Sequence, residues 1–263
     1  MLRRIMGIVA AAGLVVPVAG CGFEDGGWRA APGEATATAA GAPAEVASSE
    51  AAGGYEPLVF GNFVPTLTDA FGAESSVRVA GKLLDGSAVG VEMRLATDDD
   101  EGAVRVTTAG EYANEVTYVD GSGYLQFPGE DVYYLVPQEM LEEDLGDALE
   151  LTPEAQLADL GLAINAVLYE GPETRRGERL HRYAVSVGAW YYAQEFGIEE
   201  WEVPPVAYRV WVDDANLLQR IRLKFRGVPG AVDFTYSDWS APVRIESPPA
   251  ELVAPLPEWE DVA

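Results

Sequence analysis

The feature that most restricts the fold is a two-residue alternation of apolar and polar side chains, repeated along the chain with short turns between. Val77 and Val79 alternate with Ser76, Arg78 and Ala80. Val89, Val91, Met93 and Leu95 alternate with Gly90, Glu92 and Arg94, and Val104 and Val106 with Arg105 and Thr107. Val116 and Tyr118 lead to Asp120-Gly121, after which further strands are expected at Tyr124 to Phe127 and Tyr133 to Val136. The pattern resumes at Tyr183, Val185 and Val187, and is clearest over Val206 to Val212, Leu217 to Phe225 and Val232 to Tyr236. Successive residues of a strand face opposite sides of a sheet, so each segment carries one apolar face. Asp85-Gly86, Asp98 to Gly102 and Asp120-Gly121 are connections of hairpin length, which join antiparallel neighbours. The chain therefore reads as α+β, with a large curled, mostly antiparallel sheet and a few helices covering its concave face. Such a sheet can leave an apolar cavity beneath its helices; a filled core fits the same alternation.

Helical spacing is confined to a few stretches. Phe63, Leu67, Ala70 and Phe71 define one face, with Asn62 as the expected N-cap, Pro65 in the first turn and Gly72 at the end. Thr152 and Pro153 form a start signal ahead of Leu157, Leu160, Ile164, Val167 and Leu168, which predicts a second helix over that stretch. The acidic run Pro137 to Leu149 can hold another helical turn, and a short helix is expected over Ala189 to Phe196, ended by Gly197.

The N-terminus carries a different message. Arg3 and Arg4 precede an apolar run of 14 residues, Ile5 to Val18, short for a bilayer span and of the length of a secretory signal. The sequence Val18-Ala19-Gly20-Cys21 that closes it resembles the lipobox of bacterial lipoproteins, with Val18 where that pattern prefers Leu. The resemblance implies that Cys21 receives a diacylglyceryl group and, after cleavage, becomes the acylated (palmitate-bearing) N-terminus. Cys21 is the only cysteine, so no disulfide forms within the chain. Residues 1–20 are read as the signal peptide and 21–56 as a tether poor in large apolar residues. Residues 57–250 are read as one domain, and 251–263 as a C-terminal tail.

Charge narrows the partners. The chain carries 17 basic and 43 acidic residues, a net charge of −26, and loss of Arg3 and Arg4 makes the balance still more acidic. Such a charge repels phosphate backbones, so nucleic acid is excluded as a partner. Catalytic and metal-binding patterns are sparse, and neither an enzyme nor a cofactor is expected. His181 is the only histidine and is read as a solvated or hydrogen-bonded structural residue; Gly121-Ser122-Gly123 is hairpin sequence rather than a nucleophile elbow. Asp98 to Glu101 lack calcium-loop spacing and read as a solvated hairpin tip. Two basic clusters stand out, Arg175, Arg176, Arg179 and Arg182, and Arg220, Arg222, Lys224 and Arg226. Either suits phosphate or carboxylate groups, but the preferred reading of the second is the solvent face of the sheet, paired with surplus acids on neighbouring strands.

Several of these segments together resemble the LppX/LprAFG family of actinobacterial lipoproteins: Ser76 to Leu95, Tyr118 to Tyr124, Gly171 to Val187, Val210 to Asp214 running into Leu217 to Phe225, and Tyr236 to Trp239 through Pro249. The resemblance implies a half-barrel like that of the lipoprotein carrier LolA, with helices against its concave face, and binding of acylated lipids or glycolipids there. The chain departs from the family in its acidity and in the acidic insert Glu139 to Glu150. The expected lipid-contacting set is Val77, Val79, Val91, Met93, Val104, Val106, Leu160, Ile164, Val185, Val187, Ile221, Leu223, Phe225 and Phe234, since acyl chains need a contiguous dry surface. Expected partners are the membrane through the Cys21 anchor, lipoprotein-processing enzymes and a lipid ligand, with the protein a monomer. The competing expectation is a non-catalytic interaction module of the envelope with a filled core.

Overall fold

The computed structural model describes residues 55–97, 101–110, 113–145, 157, 160–196 and 199–257. Among them, the α-helices α1 (Phe60–Gly72), α2 (Gln138–Leu145) and α3 (Ala189–Phe196), and a further helical stretch ending at residue 163, accompany one twelve-stranded sheet. The first six strands are β1 (Ser76–Lys82), β2 (Ala88–Arg94), β3 (Ala103–Ala109), β4 (Asn114–Val119), β5 (Ser122–Gln126) and β6 (Tyr133–Val136). The remaining six are β7 (Ile164–Arg175), β8 (Glu178–Val187), β9 (Val206–Val212), β10 (Leu218–Phe225), β11 (Val232–Ser237) and β12 (Val253–Pro255).

The order across the sheet is β12-β6-β5-β4-β3-β2-β1-β11-β10-β9-β8-β7. Two antiparallel meanders, β1 to β6 and β7 to β11, are joined at a seam where β1 pairs with β11, Val79 opposite Tyr236. Only β12 runs parallel to its neighbour, β6. The sheet stays open, with β7 and β12 as its edges, so the architecture is the half-barrel expected. Hairpin chemistry sets the register. Asp120 and Gly121 have φ of 52° and 70°, and Arg176 and Gly177 have 51° and 89°, the paired positive dihedrals of two-residue turns that match strand twist.

The alternation resolves as read except at the start of β10, where a register shift between Leu218 and Arg220 puts Leu218, expected on the opposite face, into the core in place of Leu217. Inward side chains from β1 to β5 and β8 to β11 merge into one core, and α1 closes it with Phe63, Leu67 and Phe71. A smaller cluster of Ala103, Val119 and Ile245 lies apart, where the C-terminal segment packs on the sheet. The α1 helix begins three residues earlier than expected: Val59 is the N-cap, Asn62 is the third helical residue, and the Asn62 Oδ1 accepts the Val59 backbone N–H at 2.7 Å. The cap therefore works backwards from inside the first turn.

One element differs in kind. The sequence predicts a helix through Ile164, Val167 and Leu168, but the chain is helical at Leu157 and over 160–163 and becomes strand β7 from Ile164. Register shifts at Ile164/Ala166 and at Tyr169/Gly171 interrupt the two-residue period of β7. Apolar residues of this edge strand therefore fall three and four apart, which imitates a helix. The sheet also continues past residue 250, through β12, into what reads as tail. Cys21, Asp98 to Asp100, Thr152, Pro153 and Gly197 lie outside the described residues.

Candidate functional site

The concave face is built by alternate residues of the strands. Val77, Val79, Val91, Met93, Val104 and Val106 from β1 to β3 meet Val185 of β8, Ile221, Leu223 and Phe225 of β10 and Phe234 of β11 in one cluster. Val187 sits half-buried at its margin. Leu160 joins from the helical turn, whereas Ile164 contributes from the start of β7 rather than from a helix. All fourteen residues are thus brought together. Apart from Val187, none is more than 6% exposed, so the face is covered closely by the side chains seated on it. The cover comprises Phe63, Leu67 and Phe71 of α1, Leu141 of α2, Leu157 and Leu160. Gly123 of β5 is where α2 docks: a Cβ there would stand 2.6 Å from Leu141 Cδ2. Leu141 is concealed in the sequence by its acidic surroundings, which give its helix little apolar character.

One polar group is stranded in this apolar region. Tyr236, on β11, is 2% exposed, and its hydroxyl has no hydrogen-bond partner among the described residues. Burial pushes its phenol well above the ordinary range, so the group keeps its proton as a donor. Its ring stacks parallel to Trp239 at 6.2 Å, and Trp239 meets Phe71 edge-on at 5.1 Å. Alternation places Tyr236 on the inner face, but sequence gives no signal that its hydroxyl is unpaired.

At the other end of α1 lies a polar knot. His181 is fully buried; its Nε2 is 2.7 Å from Asp214 Oδ1 and its Nδ1 is 2.9 Å from the Tyr169 hydroxyl. Tyr55 stacks on the imidazole at 3.3 Å between ring centres and 8° between planes. The Tyr55 hydroxyl donates to Asn216 Oδ1 at 2.8 Å and lies 2.8 Å from the Tyr183 hydroxyl, which accepts the Leu58 N–H at 3.0 Å. This network ties the start of the described chain to β7, β8 and the β9–β10 turn. Of the two structural places expected for His181, solvated or hydrogen-bonded, it takes the second. No group of three His, Cys, Asp or Glu able to hold a metal occurs among the described residues, and no helix there is long and apolar enough to cross a membrane.

The open twelve-stranded sheet with its covered concave face is a half-barrel fold. LprF from Mycobacterium bovis matches with a TM-score of 0.53 at 18% identity, over 72% of this chain and 96% of that one. The Mycobacterium tuberculosis lipoprotein LppX matches with a TM-score of 0.51 at 16% identity, over 71% of this chain and 98% of that one. These likenesses bear out the fold expected from the resemblance. No protein-family model matches the chain, and no curated protein matches its sequence.

Proposed function

We propose that the protein is an exported envelope lipoprotein, anchored through acylated Cys21 at the extracytoplasmic face of the membrane. Its half-barrel takes the acyl chains of a lipid or glycolipid between sheet and helical cover, for transport or sensing, without covalent chemistry. The observation that carries this reading is the contiguous apolar concave face, covered by separate short helical segments rather than by a second sheet. The unpaired Tyr236 hydroxyl adds a donor suited to a ligand ester or amide carbonyl.

Because the face is closed, ligand entry requires the cover to lift. Withdrawing Leu141, Leu157 and Leu160 into water costs about 1.5–3 kcal/mol each, against about 0.8 kcal/mol regained per buried methylene of the ligand. An acyl chain leaving water easily outweighs that cost. One leaving a bilayer gains no hydrophobic energy, so the leucines must come to rest on the ligand, and the exchange is close to even. Near-even exchange suits a carrier.

The close burial of the face favours a second reading, an interaction module whose core is filled and whose acidic surface docks an envelope protein. Native mass spectrometry with organic extraction, on protein lacking residues 1–21, separates the two. A lipid at defined stoichiometry, expelled by Val91→Trp or Val106→Trp, supports the carrier. A clean apo mass with no uptake of added diacyl lipid overturns it in favour of the module.

A further inference from the structure

The outer face of the sheet carries a second feature, independent of the concave face. Arg222 of β10 stands directly opposite Arg209 of β9, and Lys224 opposite Ala207. Like charges directly opposed across strands are destabilising, so this arrangement has a cost that an anion would remove. These cations, with Arg182, Arg220, Ala207 and Trp211, line a groove of about 420 Å³, whose one carboxylate, Glu173, accepts hydrogen bonds from Arg182 at 3.1 Å and Trp211 at 3.0 Å. A neighbouring groove of about 490 Å³, toward Lys82 and the turn at Gly230, shares Arg222 and Lys224 with it.

The acids nearby are largely engaged. Glu170 is held by Arg209 at 2.9 Å and Arg182 at 2.8 Å, and Asp233 is paired with Arg220. Arg222 reaches Asp233 only at 3.7 Å, with its side chain 47% exposed. Lys224 is exposed, and its ammonium has no ion pair or hydrogen bond among the described residues. Pairing with neighbouring strands thus accounts for Arg220, as expected, and leaves Arg222 and Lys224 under-used. The remaining acids of this −26 chain do not cancel the local field at a distance, because exposed charges are screened beyond about 8 Å at physiological ionic strength.

We propose that this groove binds a phosphate-bearing ligand, with Arg222 and Lys224 as principal contacts and Arg209 on the third side. A guanidinium fork and a mobile ammonium together match the several oxygens of a phosphate monoester or diester. Both a lipid headgroup and a soluble phosphate ester supply that chemistry.

The test is isothermal titration of the full chain in neutral detergent with inorganic phosphate, with sn-glycerol 3-phosphate, and with micelles doped with phosphatidylglycerol. Saturable one-to-one binding is expected, weakened by added salt and at least about tenfold by combined Arg222→Gln and Lys224→Gln. Arg244→Gln, whose arginine pairs with Glu246 elsewhere, binds like the parent. Binding of doped micelles well above that of the soluble ligands identifies a headgroup; equal or stronger binding of glycerol 3-phosphate identifies a soluble ester. Absence of binding to all three, or parental binding by the double variant, overturns the proposal. Lys224→Gln alone, which breaks no contact, repeats the test should the double variant melt early. These variants lie on the opposite face from the apolar site, so either proposal can fail without the other.

Discussion

Replacing Gly123 by Ala should destabilise the protein, and the same replacement should become neutral or favourable once Leu141 is shortened. The added methyl would stand 2.6 Å from one Leu141 methyl and 3.3 Å from its Cγ, and Leu141 is 1% exposed, with no room to swing aside. Overpacking of this kind costs about 1–3 kcal/mol. Gly123 is not at positive φ, so alanine also restricts the unfolded chain and returns about 0.4–1 kcal/mol. The single change should therefore cost roughly 1–2 kcal/mol. Leu141→Ala should cost about 2–5 kcal/mol through lost burial and the space it leaves. In that background the methyl introduced by Gly123→Ala meets open space, the clash disappears and only the backbone gain remains. Urea denaturation of the four proteins gives the cycle directly. Additivity of the two changes within about 0.3 kcal/mol would refute the docking of α2 on β5 through this contact.

Two tyrosines on the inner face should respond oppositely to loss of their hydroxyls. Tyr183→Phe orphans the Leu58 N–H and cuts the link to Tyr55, a loss of about 1–3 kcal/mol in urea denaturation, whereas Tyr236→Phe removes an unpaired group and should be neutral or stabilising while weakening retention of any co-purifying lipid. The hydrogen bond from Arg209, helped by the charges of Arg209 and Arg182 and opposed by partial burial, holds the Glu170 carboxyl below its usual range. The folded state then binds fewer protons than the unfolded near about pH 4.3, so this pairing stabilises above that pH and is lost as pH falls through the lowered value. Glu170→Gln should accordingly flatten the acid side of the stability profile, measured as urea midpoints from neutral pH down to about pH 3; an unchanged slope would refute the pairing. The lipid-extraction and phosphate titrations described above complete the set.

Much of the sheet was legible because burial on one side imposes a strict two-residue period, and β1 to β4 and β9 to β11 each have a covered inner face. The inward set from Val77 to Phe234 could therefore be read without knowing the strand order. β7 escaped because an edge strand with two register shifts, and with residues such as Leu168 exposed, is released from that period. The seam between β1 and β11 was hidden for a different reason: local pattern shows which residues are strand, but not which distant strand they join. The candidate surface was legible as a set, while its condition was not. Close seating of Leu141 and the stranded Tyr236 hydroxyl depend on three-dimensional packing that no spacing encodes. The outer groove combined both cases, since Arg222 and Lys224 were visible as a run but Arg209 enters only through pairing with β9.

The seam also bears on when the protein can fold. Val79 near the start of the domain finds its partner in Tyr236 near the end, so the two meanders cannot unite until almost the whole domain is available. Contacts of such separation form late, because the chain must close a long loop before they reward it. Under the export proposed above, with the chain threaded N-terminus first through a membrane pore, this delay works as a timer. The first meander remains without its companion while the second is still in transit, and the completed sheet assembles only on the far side.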